Sequence, residues 1–160
     1  MTDHKQSDTT MTHADDLRAW AKGMYTIEAA TELLIRGFGG KFAARGNPWV
    51  HTSTEPQGPG QVSAWIDFAA IPEEAGVLSG GERRFLLLAA SLAEDVPLVL
   101  GDVVPGLDRE NLDLVLAAIA HAGGSHEHSD VRFSEDGSMS LGKGYLDSLH
   151  PWPQVLRAVQ

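Results

Sequence analysis

The residues best suited to chemistry lie in three places. His121, His126 and His128 stand close together beside Glu127 and Asp130. On an extended segment His126 and His128 point the same way, and imidazoles with a carboxylate are a donor set for zinc or nickel. His121, His126, His128 and Asp130 therefore form one alternative, a metal site in a metal-binding protein or hydrolase. A solvated polar loop after a helix accounts for the same residues without a metal. The second place is Ser79-Gly80-Gly81, where a glycine-rich helix start offers unpaired N–H groups and a positive dipole end to an anion such as phosphate. The third is Arg36, Lys41 and Arg45, a basic island with no acid between Glu32 and Glu55, suited to a phosphate or an acidic partner.

No catalytic set joins them. The chain has no cysteine, which removes disulfides, thiolate zinc sites, iron–sulfur clusters and cysteine nucleophiles together. Gly137-Ser138-Met139-Ser140-Leu141 is not a nucleophile elbow. The adjacent pairs Asp15-Asp16 and Glu73-Glu74 diverge on helix-like segments and make poor acid–base dyads. No catalytic residue is assigned, and no cofactor is expected.

The elements that must position these groups follow from capping and period. Thr12 and Asp15 make a capping box, and Leu17, Trp20, Ala21 and Met24 follow at helical spacing. Thr26 offers a second start before Ile27, Ala30, Leu33 and Leu34, with Gly37 as the stop, so 13–36 reads as one kinked helix or two abutting ones. Runs at 49–54 and 62–68 flank a Pro/Gly loop and predict a hairpin, with Trp49 and Trp65 filling core around it. Pro72 opens a short helix ended by Gly76. Ser79 and Glu82 cap a helix over 80–93, apolar almost all round and hence central. The segment 96–100 reads as a short buried strand or an extended connector. Asp108 caps a helix over 109–122 with Leu112, Val115, Leu116 and Ile119 on its inner face. Asp136-Gly137 turns a second hairpin, and a short helix closes the chain over 154–159. The fold class is therefore α+β: a flexible lead over 1–12, then one mainly helical domain over 13–160 around the 80–93 helix, with two small peripheral hairpins.

At 160 residues the chain suits one domain. Its 12 basic and 22 acidic residues leave a net charge of −10, which disfavours nucleic acid through long-range repulsion. The first dozen residues are polar and lack an export signal. The longest strongly apolar run, over 85–93, falls far short of the ~20 residues needed to span a bilayer. A cytoplasmic protein without membrane contact is expected.

Two resemblances extend this reading. Leu78-Ser79-Gly80-Gly81-Glu82, an apolar helix, Pro97-Leu98-Val99-Leu100-Gly101-Asp102 and Gly106-Leu107-Asp108 together resemble the signature, Walker B and D-loop half of ABC-type ATPases over 78–120. In that family the signature serine and amides touch ATP held by the opposing subunit, which implies Ser79, Gly80 and Gly81 as contacts to a partner's nucleotide. The family's phosphate loop is absent; Gly37-Phe38-Gly39-Gly40-Lys41-Phe42 lacks its spacing and its magnesium-binding hydroxyl. Gly101 also stands where the metal-binding aspartate belongs. More broadly, Trp20-Ala21-x-Gly23-Met24-Tyr25, Glu28-Ala29-Ala30, the Ser-Gly-Gly-Glu helix and Gly106-Leu107-Asp108 resemble small actinobacterial-type proteins of unknown function across 17–124. The leading expectation is a non-enzymatic accessory or adaptor protein whose partner is another protein, bound through the acidic surface or through Arg36, Lys41 and Arg45. Homo-oligomerisation stays open. The alternatives are a degenerate ABC-ATPase-like subunit and the histidine-based metal protein.

Overall fold

Thr12 starts the first helix as its sequence predicts. Its hydroxyl accepts the Asp15 N–H at 3.2 Å, and the Asp15 carboxylate accepts the Thr12 N–H at 3.1 Å. The computed structural model describes residues 11–55, 58 and 63–154, with 130, 143 and 144 in backbone only. Of the expected lead over 1–12 and closing helix over 154–159, residues 1–10 and 155–159 lie outside the described residues. Helix α1 (His13–Ala21) and helix α2 (Tyr25–Arg36) are separate and abutting. Thr26 does not start the second helix. Gly23 breaks the chain at φ +96°, and the Glu28 carboxylate reaches back to its N–H at 3.2 Å, so α2 begins at Tyr25 without a side-chain cap on Met24.

Gly37 ends α2, its N–H donating to the Leu33 carbonyl. The following turn places Phe38 at φ +50°, a conformation costly to a non-glycine residue. Ring packing holds it there, edge-on to Phe42 at 5.4 Å and to Phe85 at 5.2 Å.

Strands β1 (Val50–Thr52) and β2 (Ala64–Ile66) pair antiparallel, Val50 opposite Ile66 and His51 opposite Trp65. Alternation along β2 turns Ala64 and Ile66 inward and Trp65 outward. Trp49 does fill core, its indole N–H donating to the Phe42 carbonyl at 2.8 Å. Trp65 does not; it is exposed and stacks on His51. Helix α3 (Ile71–Glu74) carries Pro72 in its first turn and runs into a tight turn over Ala75–Val77.

Helix α4 (Gly80–Ala93) lies in the core as expected, burying Phe85, Leu86, Leu88, Ala89 and Ala90, and Ser79 accepts the Glu82 N–H at 3.4 Å. The segment 96–100 is a connector leading into a single turn, α5 (Leu100–Val103). Val99 and Leu100 are exposed, and among the described residues no sheet includes this segment. Helix α6 (Arg109–Ala122) follows, with Asp108 accepting the Asn111 N–H at 2.8 Å.

The fold is α+β and mainly helical. Helix α2 shares its centre with α4, packing against α1, α4 and α6. The inner face of α6 differs from the one its large apolar residues suggest. Val115 is buried, but Leu116 and Ile119 are exposed, and Asn111, Ala117 and Ala118 are buried instead. Helix α2 packs along α6 and buries small residues of its own, Ala29 and Ala30. Small side chains let two helix backbones approach, and leucine and isoleucine turn outward.

Strands β3 (Ser129–Phe133) and β4 (Met139–Tyr145) form the second hairpin, irregular between Ser129 and Val131. Gly137 takes φ +79° in its turn, where a glycine relieves backbone strain. Among the described residues no helix is long and apolar enough to cross a membrane.

Candidate functional site

Each member of the basic island is engaged by a neighbour in the chain. Arg36 binds Glu32 at 2.6 Å, donates to the Pro153 carbonyl at 3.3 Å and lies over the Trp152 ring at 5.1 Å. Lys41 pairs with Glu82 and sits over the Phe42 ring at 4.8 Å. Arg45 donates to His13 Nδ1 at 3.4 Å. Glu82 in turn is held below the usual carboxylate range by its hydrogen bond from Lys41. Ser79, Gly80 and Gly81 thus open α4 with the serine hydroxyl and the glutamate both taken up locally.

Of the histidines, His121 and His126 come together, stacked at 4.2 Å and 11°. Tyr25 meets the His126 ring edge-on at 5.0 Å and that of His121 at 5.9 Å. His121 Nε2 binds Glu28 Oε2 at 2.8 Å. His128 is exposed, and its carbonyl accepts the Leu146 N–H at 2.8 Å. Among the described residues no three metal-ligating side chains gather; the Asp130 carboxylate lies outside them.

What the fold builds around His121 is a cleft. The end of α1 supplies Arg18, Ala21 and Lys22, and α2 supplies Glu28, Thr31, Glu32 and Arg36. His121 from the last turn of α6 and Trp152 from the Pro151–Pro153 segment complete a cavity of about 360 Å³. The helical spacing of 28, 31 and 32 puts these side chains on one face of α2. Arg18 and Arg36 bracket Glu32 from two helices. Thr31 is 1% exposed, and among the described residues its hydroxyl has no hydrogen-bond partner.

The two carboxylates respond to their settings alike. Burial works against the charge of Glu32, but hydrogen bonds from Arg18 and Arg36 outweigh it and lower the pKa. Burial likewise opposes Glu28, and the bonds from His121 and the Gly23 N–H outweigh it. A carboxylate with a lowered pKa in the fold contributes stability above its ordinary value of 4.5, and that contribution is lost as pH falls through the lower folded value. Glu32→Gln is expected to cost about 1–2 kcal/mol near neutrality, allowing for the exposure of Arg18. It should also flatten the loss of Tm below about pH 4.5. Thermal unfolding of both proteins across this range checks the sign.

A second feature stands beyond the histidines. The register of β3 and β4 sets Val131 opposite Leu141 and Phe133 opposite Met139, so these four side chains share one face. Val131, Phe133, Met139, Leu141 and Tyr145 are 43–75% exposed. Exposed acids stand around them at Glu127, Glu135, Asp136 and Asp147. The hairpin is rooted in the body by Leu149, which donates its N–H to the Ser125 hydroxyl at 3.2 Å, and by the Leu146–His128 bond.

Sequence reasoning found His121 and Arg36 but missed Arg18, Lys22, Glu28, Thr31, Glu32 and Trp152 as members of one cleft. The i, i+4 pair Glu32–Arg36 and the run 28, 31, 32 carried a signal for one wall, whereas nothing local pairs 152 with 36. The alternation of apolar residues at 131, 133, 139 and 141 around an Asp-Gly turn was visible and marked a one-sided hairpin. No protein-family model, curated protein or solved structure matches this chain.

Proposed function

We propose that this chain is a non-enzymatic interaction protein that docks another protein on the apolar face of the β3–β4 hairpin. One observation carries the reading: four large apolar side chains, Val131, Phe133, Met139 and Leu141, lie on one face of a two-stranded ribbon and stand exposed among the described residues. An isolated hairpin is marginal in water, and a contiguous exposed apolar patch marks a contact surface. The partner presents apolar side chains rimmed by lysine or arginine, because the surrounding acids and the net charge of −10 favour a cationic rim. A second copy brings two acidic rims together and is the less favourable occupant.

A photo-crosslinking amino acid at position 133, compared with one at exposed position 73, tests this in cells. The expected result is a heteromeric adduct from 133 alone, lost when Met139 and Leu141 are made polar, with a partner segment rich in Lys or Arg. Identical adducts from both positions, or a homodimer only, overturn it.

A further inference from the structure

We propose that the partner docked on the hairpin adds a strand to the free edge of β3, an inference that rests on the docking reading above. The occupant is an extended segment with apolar residues at alternate positions and lysine or arginine between them.

The turn fixes which backbone groups face outward. Gly137 donates its N–H to the Ser134 carbonyl, and Ser134 donates its own to the Ser138 carbonyl, both at 2.9 Å. Ser134 therefore bonds across the ribbon, and backbone groups along a strand alternate in direction. Arg132, opposite Ser140, repeats the inward direction, so Val131–Leu141 and Phe133–Met139 are the pairs without mutual hydrogen bonds. The N–H and C=O of Val131 and Phe133 thus point away from β4. At the foot of the strand the phase is the same: Leu146 donates to the His128 carbonyl, which leaves Ser129 facing outward.

The two edges of the ribbon are not equivalent. The register moves from Val131–Leu141 to Ser129–Tyr145, a step of two on β3 and four on β4, so the bulge lies on β4 within Gly142–Gly144. A bulge bends the edge that carries it and guards it against further pairing. Strand β3 instead keeps an unbroken row at Ser129, Val131 and Phe133, with no proline in it and no third strand beside it among the described residues. Residues 129, 131, 132 and 133 are all exposed, and the strand stands clear of the body.

A strand fits this edge better than a helix fits the face. Neighbouring strands lie about 5 Å apart, half the breadth of a helix at about 10 Å, so a helix seated on two strands overhangs them. A third strand instead supplies what a two-stranded ribbon lacks for stability. Its side chains alternate in step with those of β3 and carry the apolar face onward beside Val131 and Phe133. Lysine or arginine in the segment answers Glu127, Glu135 and Asp136 around the ribbon.

Fluorescence anisotropy of the full chain with two labelled peptides of equal composition tests the inference. One is a heptapeptide alternating lysine with valine or phenylalanine; the other sets the same apolar residues at helical spacing. The alternating peptide should bind at least about tenfold more tightly. Phenyllactic acid incorporated in place of Phe133 exchanges the N–H for an ester oxygen and keeps the ring. It should weaken the alternating peptide about fivefold. Val131→Pro removes a second outward N–H and should weaken it about tenfold, with Tm within a few degrees of the parent. Equal binding of the two peptides, or an ester variant indistinguishable from the parent, overturns strand addition. Docking on the face survives that result, because the adduct from position 133 and its loss with polar Met139 and Leu141 variants do not depend on the edge. No binding of the alternating peptide below about 1 mM overturns strand addition too. So does a dimer of the free chain that Val131→Pro converts to monomer, since a second copy then occupies the edge.

Discussion

Gly37→Ala is expected to destabilise the protein by about 2–3 kcal/mol, read as a fall in the denaturant midpoint. A β-carbon at this position lies 2.4 Å from Phe85 Cζ and 2.7 Å from Cε1, well inside contact distance. Phe85 cannot step aside, because it is fully buried on α4 and wedged against Phe38. The backbone itself makes no demand for glycine, since φ at Gly37 is −75°. Alanine at such a position would stabilise by about 0.4–1 kcal/mol through the unfolded chain if space were free. The two effects have opposite signs, so the measurement separates them. Shortening the ring with Phe85→Leu should partly rescue Gly37→Ala, giving a non-additive pair. A neutral or stabilising Gly37→Ala would mean that the α2–α4 contact is looser than described.

Phe133→Thr with Leu141→Thr is expected to weaken docking on the hairpin about a hundredfold while leaving Tm within a few degrees of the parent. Covering a phenylalanine or leucine is worth about 1.5–3 kcal/mol, and these two are mostly uncovered in the free chain. Removing both therefore costs a complex several kcal/mol and the monomer little. Threonine keeps strand propensity, so loss of the Phe133–Met139 and Val131–Leu141 cross-strand pairs limits the effect on the hairpin to about 1 kcal/mol. The affinity is read against the partner trapped at position 133. Binding of a hydrophobic-surface dye should also fall in the isolated protein. A large drop in Tm with unchanged dye binding would make these residues structural.

The sequence was most informative where one residue answers one backbone need. Thr12, Ser79 and Asp108 each accept the N–H three residues on, and each helix begins where that cap puts it. Gly137 fixed the second hairpin for the same local reason. Faces were less legible than starts. On α6 the period is clear, but two apolar stripes compete, and hydrophobicity alone favours Leu116 and Ile119 over Ala117 and Ala118. Only the packing of α2 against α6 decides between them. The same limit hid the cleft: Arg18, Thr31, His121 and Trp152 come from four separate segments, and no window of sequence contains more than one of its walls.

The contact between α2 and α6 matters for both surfaces. Helix α6 ends at His121 and Ala122, and the chain passes at once through His126 into the hairpin. Packing between α2 and α6 therefore bears on both features, because α2 and His121 line the cleft and the chain beyond α6 forms the ribbon. Ala118 is fully buried, so a larger side chain there must push its neighbours apart one helical turn from His121.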